Sequence, residues 1–345
     1  MNHQPTILLG MPPDNEIFRL IETNLKYHGF NVINIVDDGS QFQYPSFYDW
    51  AQTKFRQLAL RDKQAKQRLR LSQLHTQIAD LLSKNKQIDY ALFIRADIYS
   101  EDMLHLIRQH IRFNMVNYQW DGMNRYPNIK TRIPLFDRFY IFDPDDSCAK
   151  FLPNTNFYFD YDLKLPLENN NDTFYFTGSH LPGRELLIHN FNSSARKKGW
   201  NLNFHIYCGS KRQHKFSNYK KLYPNNINII SHNISFLENL KNARKAKVLV
   251  DLKAPDHNGL SFRIFESIGY QKKLITTNHN VKKYDFYHPN NIFIWDGIQF
   301  NGIDNFLETP YYPIDTTIRE KYGFLNWIRY TLDLPPYQPI NLPAI

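Results

Sequence analysis

Two apolar runs that stop at a glycine, TILLG (6–10) and TFYFTG (173–178), each open a series of alternating strand-like and helix-like stretches. That alternation constrains the fold more than any other feature. Strands separated by amphipathic helices can bury both their faces only in a parallel sheet covered on two sides. In the first series Asp14 is placed to cap a helix whose apolar positions Ile17, Leu20, Ile21 and Leu25 recur at helical spacing, with Gly29 as its stop. NVINIV (31–36), YALFIRA (90–96), FNMVNYQW (113–120) and RFYIFD (138–143) follow as strands, with one long basic helix predicted over 46–85 and another from Ser100. Residues 153–172, rich in Asn, Asp and Pro, read as a connector. The pattern then restarts with strands at LNFHIYCG (202–209), INIIS (227–231), KVLVDL (247–252), KLITT (273–277) and NIFIW (291–295), and helices over 181–199 and 235–246.

The expected organisation is two doubly wound α/β domains, 1–152 and 173–303, joined by a linker over 153–172. The remaining 304–345 holds an amphipathic FLNWIRYTL (324–332), suited to packing back on the first domain, and a Pro-rich tail expected on the surface. A chain of 345 residues suits two such cores. Only two cysteines, Cys148 and Cys208, argue against a disulfide framework and for a reducing compartment. No signal peptide is read at the N-terminus and no run reaches the roughly 20 apolar residues of a spanning helix, so a cytoplasmic protein is expected. A net charge of +9 favours an anionic partner: nucleic acid, a phosphorylated ligand or an anionic membrane face.

In parallel α/β sheets ligands bind at the carboxyl ends of the strands, and three loops of the second series fit that place. In TGSHLPGRELL (177–187), Gly178 and Ser179 bring backbone close to a ligand, and Arg184, in the first turn of the next helix, offers a bidentate charge contact. A tight turn with a solvated arginine explains the same residues. In YCGSKRQHK (207–215), Lys211 and Arg212 follow a strand, as they would in any basic surface loop. The third is NGLSFRIFESIGYQKKLITTN (258–278). A helix starting near Leu260 puts Leu260, Ile264, Phe265 and Ile268 on one apolar stripe, and Glu266 off it, beside Phe262 and Arg263. There Glu266 could accept hydrogen bonds from two hydroxyls, as a ribose requires, or form an Arg263–Glu266 surface pair.

Residues 172–297 resemble the C-terminal donor-binding domain of GT-B glycosyltransferases of the group 1 type. That family carries two acids eight positions apart, the first usually followed by glycine and the second binding the nucleotide ribose. Asn258-Gly259-Leu260-Ser261 through Phe265-Glu266 has this spacing, with KNARKAKVLVDL before it, KKLITTN after it, and TGSHLPGR matching the family's diphosphate loop. Glu266 takes the second position; Asn258 takes the first, an amide where the family has an acid, so the resemblance assigns neither retention nor inversion. It implies a GT-B fold, two Rossmann-like domains facing a central cleft. It also implies a nucleotide-sugar donor held by Gly178, Ser179, Arg184, Lys211, Arg212, Asn258, Gly259, Leu260, Ser261, Arg263 and Glu266. YQWDGMNRYPNI and FDPDDS in the first half resemble bacterial surface-polysaccharide transferases, which implies a glycan or glycolipid acceptor.

An inverting enzyme needs a general base. Asp97 and Asp121 stand at strand ends of the first domain; Asp97 is the first choice, and both also read as caps. Asp143-Pro144-Asp145 and Asp160-Tyr161-Asp162 spell D-x-D, a metal-binding pair in other transferases, but FDPDDS reads better as strand, cap, proline and first turn. No zinc spacing, nucleophile elbow or phosphate loop is present, and neither metal nor cofactor is expected. The cations over 54–70 read as a solvated face or a contact with an anionic inner membrane. A nucleic-acid-binding protein and an inactive GT-B-like scaffold are the rival readings, although no nucleic-acid-binding signature is found.

Overall fold

The structure is a computed structural model and describes residues 4–39, 42–85, 87–164, 171–209 and 215–343. The first half forms a six-stranded parallel sheet from β1 (Thr6–Gly10), β2 (Asn31–Asn34), β3 (Tyr90–Ile94), β4 (Met115–Gln119), β5 (Arg138–Ile141) and β6 (Leu152–Pro153). Its order is β2-β1-β3-β4-β5-β6 and every pairing is parallel. Helices α1 (Ile17–Tyr27), α2 (Phe47–Ala59), α3 (Ala65–Lys84) and α4 (Glu101–Arg108) connect the strands. The second sheet comprises β7 (Asn171–Ser179), β8 (Asn201–Tyr207), β9 (Asn228–Ile230), β10 (Ala246–Asp251), β11 (Lys273–Thr276) and β12 (Ile292–Ile294) in the order β12-β11-β10-β7-β8-β9. Around it run α5 (Arg184–Lys198), α6 (Lys215–Lys220), α7 (Phe236–Lys245), α8 (Phe262–Gly269) and α9 (Ile303–Glu308); α10 (Thr316–Lys321) and α11 (Phe324–Leu332) follow. Each sheet buries apolar side chains on both faces, which is why its strands read as unbroken apolar runs rather than alternating ones.

Three sequence expectations give way. The predicted helix over 46–85 is two helices, α2 and α3, broken where Arg61 takes a positive φ of 51°. The predicted linker is in large part core: residues 154–159 are all buried. Its aromatic run Phe157-Tyr158-Phe159 packs between the domains, and its amides are satisfied there. Asn156 donates to the Leu260 carbonyl (2.9 Å) and accepts from the Tyr118 hydroxyl (2.9 Å). The Pro-rich tail is not wholly on the surface either, because Ile340 is fully buried. The tail follows α11 back onto the first domain, where Trp327 donates to the Thr155 carbonyl (3.0 Å) and Asn114 to the Leu332 carbonyl (3.0 Å).

Strand order locates the crevices. In a doubly wound sheet, loops on either side of the point where the order reverses leave in opposite directions and open a gap. In the second domain that point lies between β7 and β10, and in the first between β1 and β3.

Candidate functional site

A cavity of about 280 Å³ opens at the carboxyl ends of β7, β8 and β10, at the reversal point of the second sheet. Gly178, Ser179, Arg184, Gly259, Ser261, Arg263 and Glu266 all line it, as does Asn15 from the first domain. Leu260 is buried just behind, in the core under α8. Lys211 and Arg212 lie outside the described residues.

Arg184 leaves β7 through Gly183, whose positive φ of 84° starts α5. Its guanidinium is buried, donating to the main-chain carbonyls of Ser179 (2.6 Å) and Leu252 (2.9 Å), while Nε has no partner. Among the described residues no carboxylate pairs with it. Burial accordingly pushes its pKa down, against the pull of Asp251. A buried cation held by neutral carbonyls is costly unless an anion joins it. Gly178 is close enough that a Cβ there would sit 3.1 Å from the Arg184 Nη1.

Glu266 occupies the polar side of a helix buried from Arg263 to Gly269. One face of α8 packs on β10 and β11; Gly269 meets the Tyr158 ring so closely that a Cβ would lie 2.5 Å from it. The Arg263–Glu266 pair is real but internal: Oε2 accepts from Arg263 Nη1 (2.6 Å) and Oε1 from Asn239 Nδ2 (3.2 Å), with Glu266 only 2% exposed. Asn239 in turn accepts from Arg263 Nη2 (2.6 Å) and from the Tyr175 hydroxyl (3.2 Å). A carboxylate has about four lone-pair sites; these two contacts leave acceptor capacity on the side that borders the cavity. Burial raises the Glu266 pKa although Arg263 and Asn239 pull it down. Ser261 precedes the helix but gives its hydroxyl to Asp251 (2.7 Å), so the first N–H groups of α8 have no side-chain cap at the cavity wall.

Asn258 does not line the cavity; it joins the domains. Its main-chain N–H meets both Asp143 carboxylate oxygens (3.2 Å each), its Nδ2 donates to Asp145 (2.5 Å), and its Oδ1 accepts from Lys253 Nζ (2.6 Å). Asp143 also caps the short helical turn at Pro144–Asp146. The D-x-D carboxylates at 143 and 145 are thus engaged by an amide, and Asp160 is engaged by His28 (2.6 Å). The side chain of Asp162 lies outside the described residues. An acid at 258 would face Asp143 and Asp145 with no proton to donate. Asn258→Asp is expected to lower stability by roughly 1–3 kcal/mol, the cost of unmaking a buried charge-assisted contact, read as a fall in Tm. Gly259, next to it, lies under Phe142, where a Cβ would come within 2.3 Å of the ring.

Of the two base candidates, Asp97 is held bidentately by Arg95 (3.2 and 3.3 Å). Asp121 follows β4, with Arg125 at 3.5 Å and Arg95 at 3.7 Å. Burial raises its pKa, opposed by Arg125, Arg95 and His257 and helped by Asp14. Its chain neighbours both reach the second domain: Trp120 meets Phe262 edge-on (6.0 Å between centroids) and Gly122 lies beside the Asp256 carbonyl. An Arg125–Asp256 ion pair (3.2 Å) closes the same edge. Asp121 therefore faces the cleft, whereas Asp97 is neutralised in the first domain.

Sequence reasoning missed Lys253, His257, Asn239 and Asn15, all lining the cavity. Lys253 carried a signal, a cation just past the end of KVLVDL; His257, Asn239 and Asn15 carried none. Among the described residues no three His, Cys, Asp or Glu side chains converge as a metal's donor set would, and no helix is long and apolar enough to cross a membrane.

No family model matches the chain, and no curated protein sequence does. Among solved structures it is similar to an OtsA apo structure (TM-score 0.54, 12% identity, covering 97% of this chain and 100% of that one). It is similar also to MnaA of S. aureus with UDP (0.51, 11%, 98% and 99%). A third likeness is to an alpha-glucosyltransferase in complex with UDP-glucose and DNA containing an abasic site (0.50, 11%, 88% and 89%). Such similarity concerns the fold, and with the two doubly wound sheets it defines this one: GT-B, two Rossmann-like domains facing a cleft.

Proposed function

We propose that the protein is a glycosyltransferase that moves a sugar from a nucleotide-activated donor to a bacterial surface glycan or glycolipid, without a metal ion. The observation that carries this reading is Arg184: a buried guanidinium with a free Nε and no carboxylate among the described residues, aimed into a cavity at the switch point. A donor diphosphate would supply the missing anion, with Gly178, Ser179 and the start of α8 donating main-chain N–H groups. Glu266 would take the ribose hydroxyls. The acceptor would enter from the first domain, with Asp121 as the base, and cytoplasm facing an anionic membrane is the proposed setting. UDP in the MnaA structure and UDP-glucose in the glucosyltransferase support a nucleotide-sugar in such a fold.

A thermal-shift panel of UDP-, GDP-, ADP-, CMP- and dTDP-sugars identifies the donor. Another structure with this fold is named as a putative UDP-N-acetylglucosamine 2-epimerase (TM-score 0.50, 8% identity, 99% of this chain and 100% of that one), so the assay must follow the sugar to an acceptor rather than score nucleotide release. Arg184→Met is expected to weaken the nucleotide diphosphate about 30- to 150-fold, the worth of charge-assisted hydrogen bonds of 2–3 kcal/mol. The ligand-free Tm should change little, because the lost charge was buried and unpaired. Unchanged affinity in a folded Arg184→Met protein would remove the diphosphate from this site.

A further inference from the structure

Helix α2 is packed inside out. Its exposed large side chains are Phe47 (80%), Tyr48 (71%), Phe55 (62%) and Leu58 (80%), with Trp50 and Leu60 also open to solvent. The positions 47, 48, 55 and 58 fall on one side of a 3.6-residue helix. Turned toward the body of the protein instead are Asp49, Thr53 and Gln57, of which Thr53 is buried. An amphipathic helix in a soluble domain buries its apolar side; this one presents it. Phe47 and Trp50 stack on each other (5.3 Å) rather than on the core.

Cations border this surface. Lys54, Arg56, Arg61 and Lys63 are exposed on or just after α2, and over 47–70 there are seven Lys and Arg against two acids. Asp62 is paired with Arg68, and Asp49 with the Ser46 hydroxyl. Exposed aromatics and leucines rimmed by basic side chains match the boundary of a bilayer, where rings lie at the headgroup level and Lys and Arg reach anionic phosphates. We propose that α2 docks the protein onto an anionic lipid surface, with Phe47, Tyr48, Phe55 and Leu58 entering the headgroup region and Lys54, Arg61 and Lys63 contacting lipid phosphates. A second copy of the chain is the lesser occupant, since like-charged rims would meet.

The test is flotation of the full chain, without donor, with vesicles of phosphatidylcholine mixed with phosphatidylglycerol and with phosphatidylcholine alone. The parent should bind the mixed vesicles and lose them as salt rises. Phe55→Ser/Leu58→Ser and Lys54→Glu/Lys63→Glu should each reduce binding on the order of tenfold or more, with Tm and nucleotide affinity unchanged because all four side chains are exposed. Equal binding of neutral and mixed vesicles, or variants that float like the parent, would overturn the proposal. So would a protein that ignores vesicles and forms a dimer abolished by the apolar substitutions in sedimentation equilibrium.

Discussion

Glu266→Gln is expected to weaken donor binding by roughly 30- to 150-fold, since two hydroxyls would lose a charged acceptor at about 1.5–3 kcal/mol for such contacts. Glu266→Ala should also cost the fold about 3–5 kcal/mol by leaving Arg263 buried without its partner. Burial makes the two effects inseparable in the alanine variant. The glutamine is imperfect as well: its NH₂ would face the Asn239 Nδ2, and turning Asn239 over would deprive Arg263 and Tyr175 of their acceptor. The discriminating protein is Arg263→Leu/Glu266→Met, which replaces the pair with apolar groups of similar size. It should recover most of the stability lost in Glu266→Ala and none of the donor affinity. Calorimetry on that folded double variant showing parental affinity would end the ribose assignment. The sign with pH follows from the raised pKa of Glu266. The folded protein holds this proton more tightly than the unfolded chain does. Its contribution to stability therefore falls as pH rises through the window between the two values. Donor affinity, which needs the carboxylate, should fail on acidification at a pH above the ordinary glutamate value of about 4.3.

Most of the architecture was legible because it rests on local pattern. Apolar runs bounded by glycine, and the helical spacing of Ile17, Leu20, Ile21 and Leu25, are short-range signals that tertiary structure did not override. The break between α2 and α3 was not legible, since nothing in LRDKQ announces a positive φ at Arg61. The burial of 154–159 was hidden for a different reason. Asn and Asp are usual in connectors, and only partners more than a hundred residues away, such as the Leu260 carbonyl for Asn156, explain an amide in a core. The same distance in sequence hid the meaning of Asn258. As a solitary departure from a family pattern it looked like a lost function; beside Asp143 and Asp145 it is the residue the junction between domains requires. Arg184 and Glu266 could be picked out by strand-end position, but their burial and partners could not.

Asp121→Asn should lower kcat by about 10²- to 10⁴-fold, the range for losing a general base, with donor affinity unchanged. The argument rests on which carboxylate is free to take a proton. Asp97 gives both oxygens to Arg95, and that pairing stabilises its charge and fixes it away from an acceptor. Asp121 has only long approaches from Arg95 and Arg125, a pKa raised by burial, and neighbours on both sides that touch the donor domain. A base with a raised pKa should give kcat/KM an acid limb above the ordinary aspartate value, and that limb should vanish in Asp121→Asn. The amide should not lower Tm at neutral pH, because the fold disfavours the charged form it replaces. Asp97→Asn should do the reverse: lower stability by leaving Arg95 poorly paired, and keep the acid limb. If Asp97→Asn instead abolished turnover while Asp121→Asn kept it, the proton would leave through the first-domain pair and the cleft-facing carboxylate would be only a neighbour of Arg125.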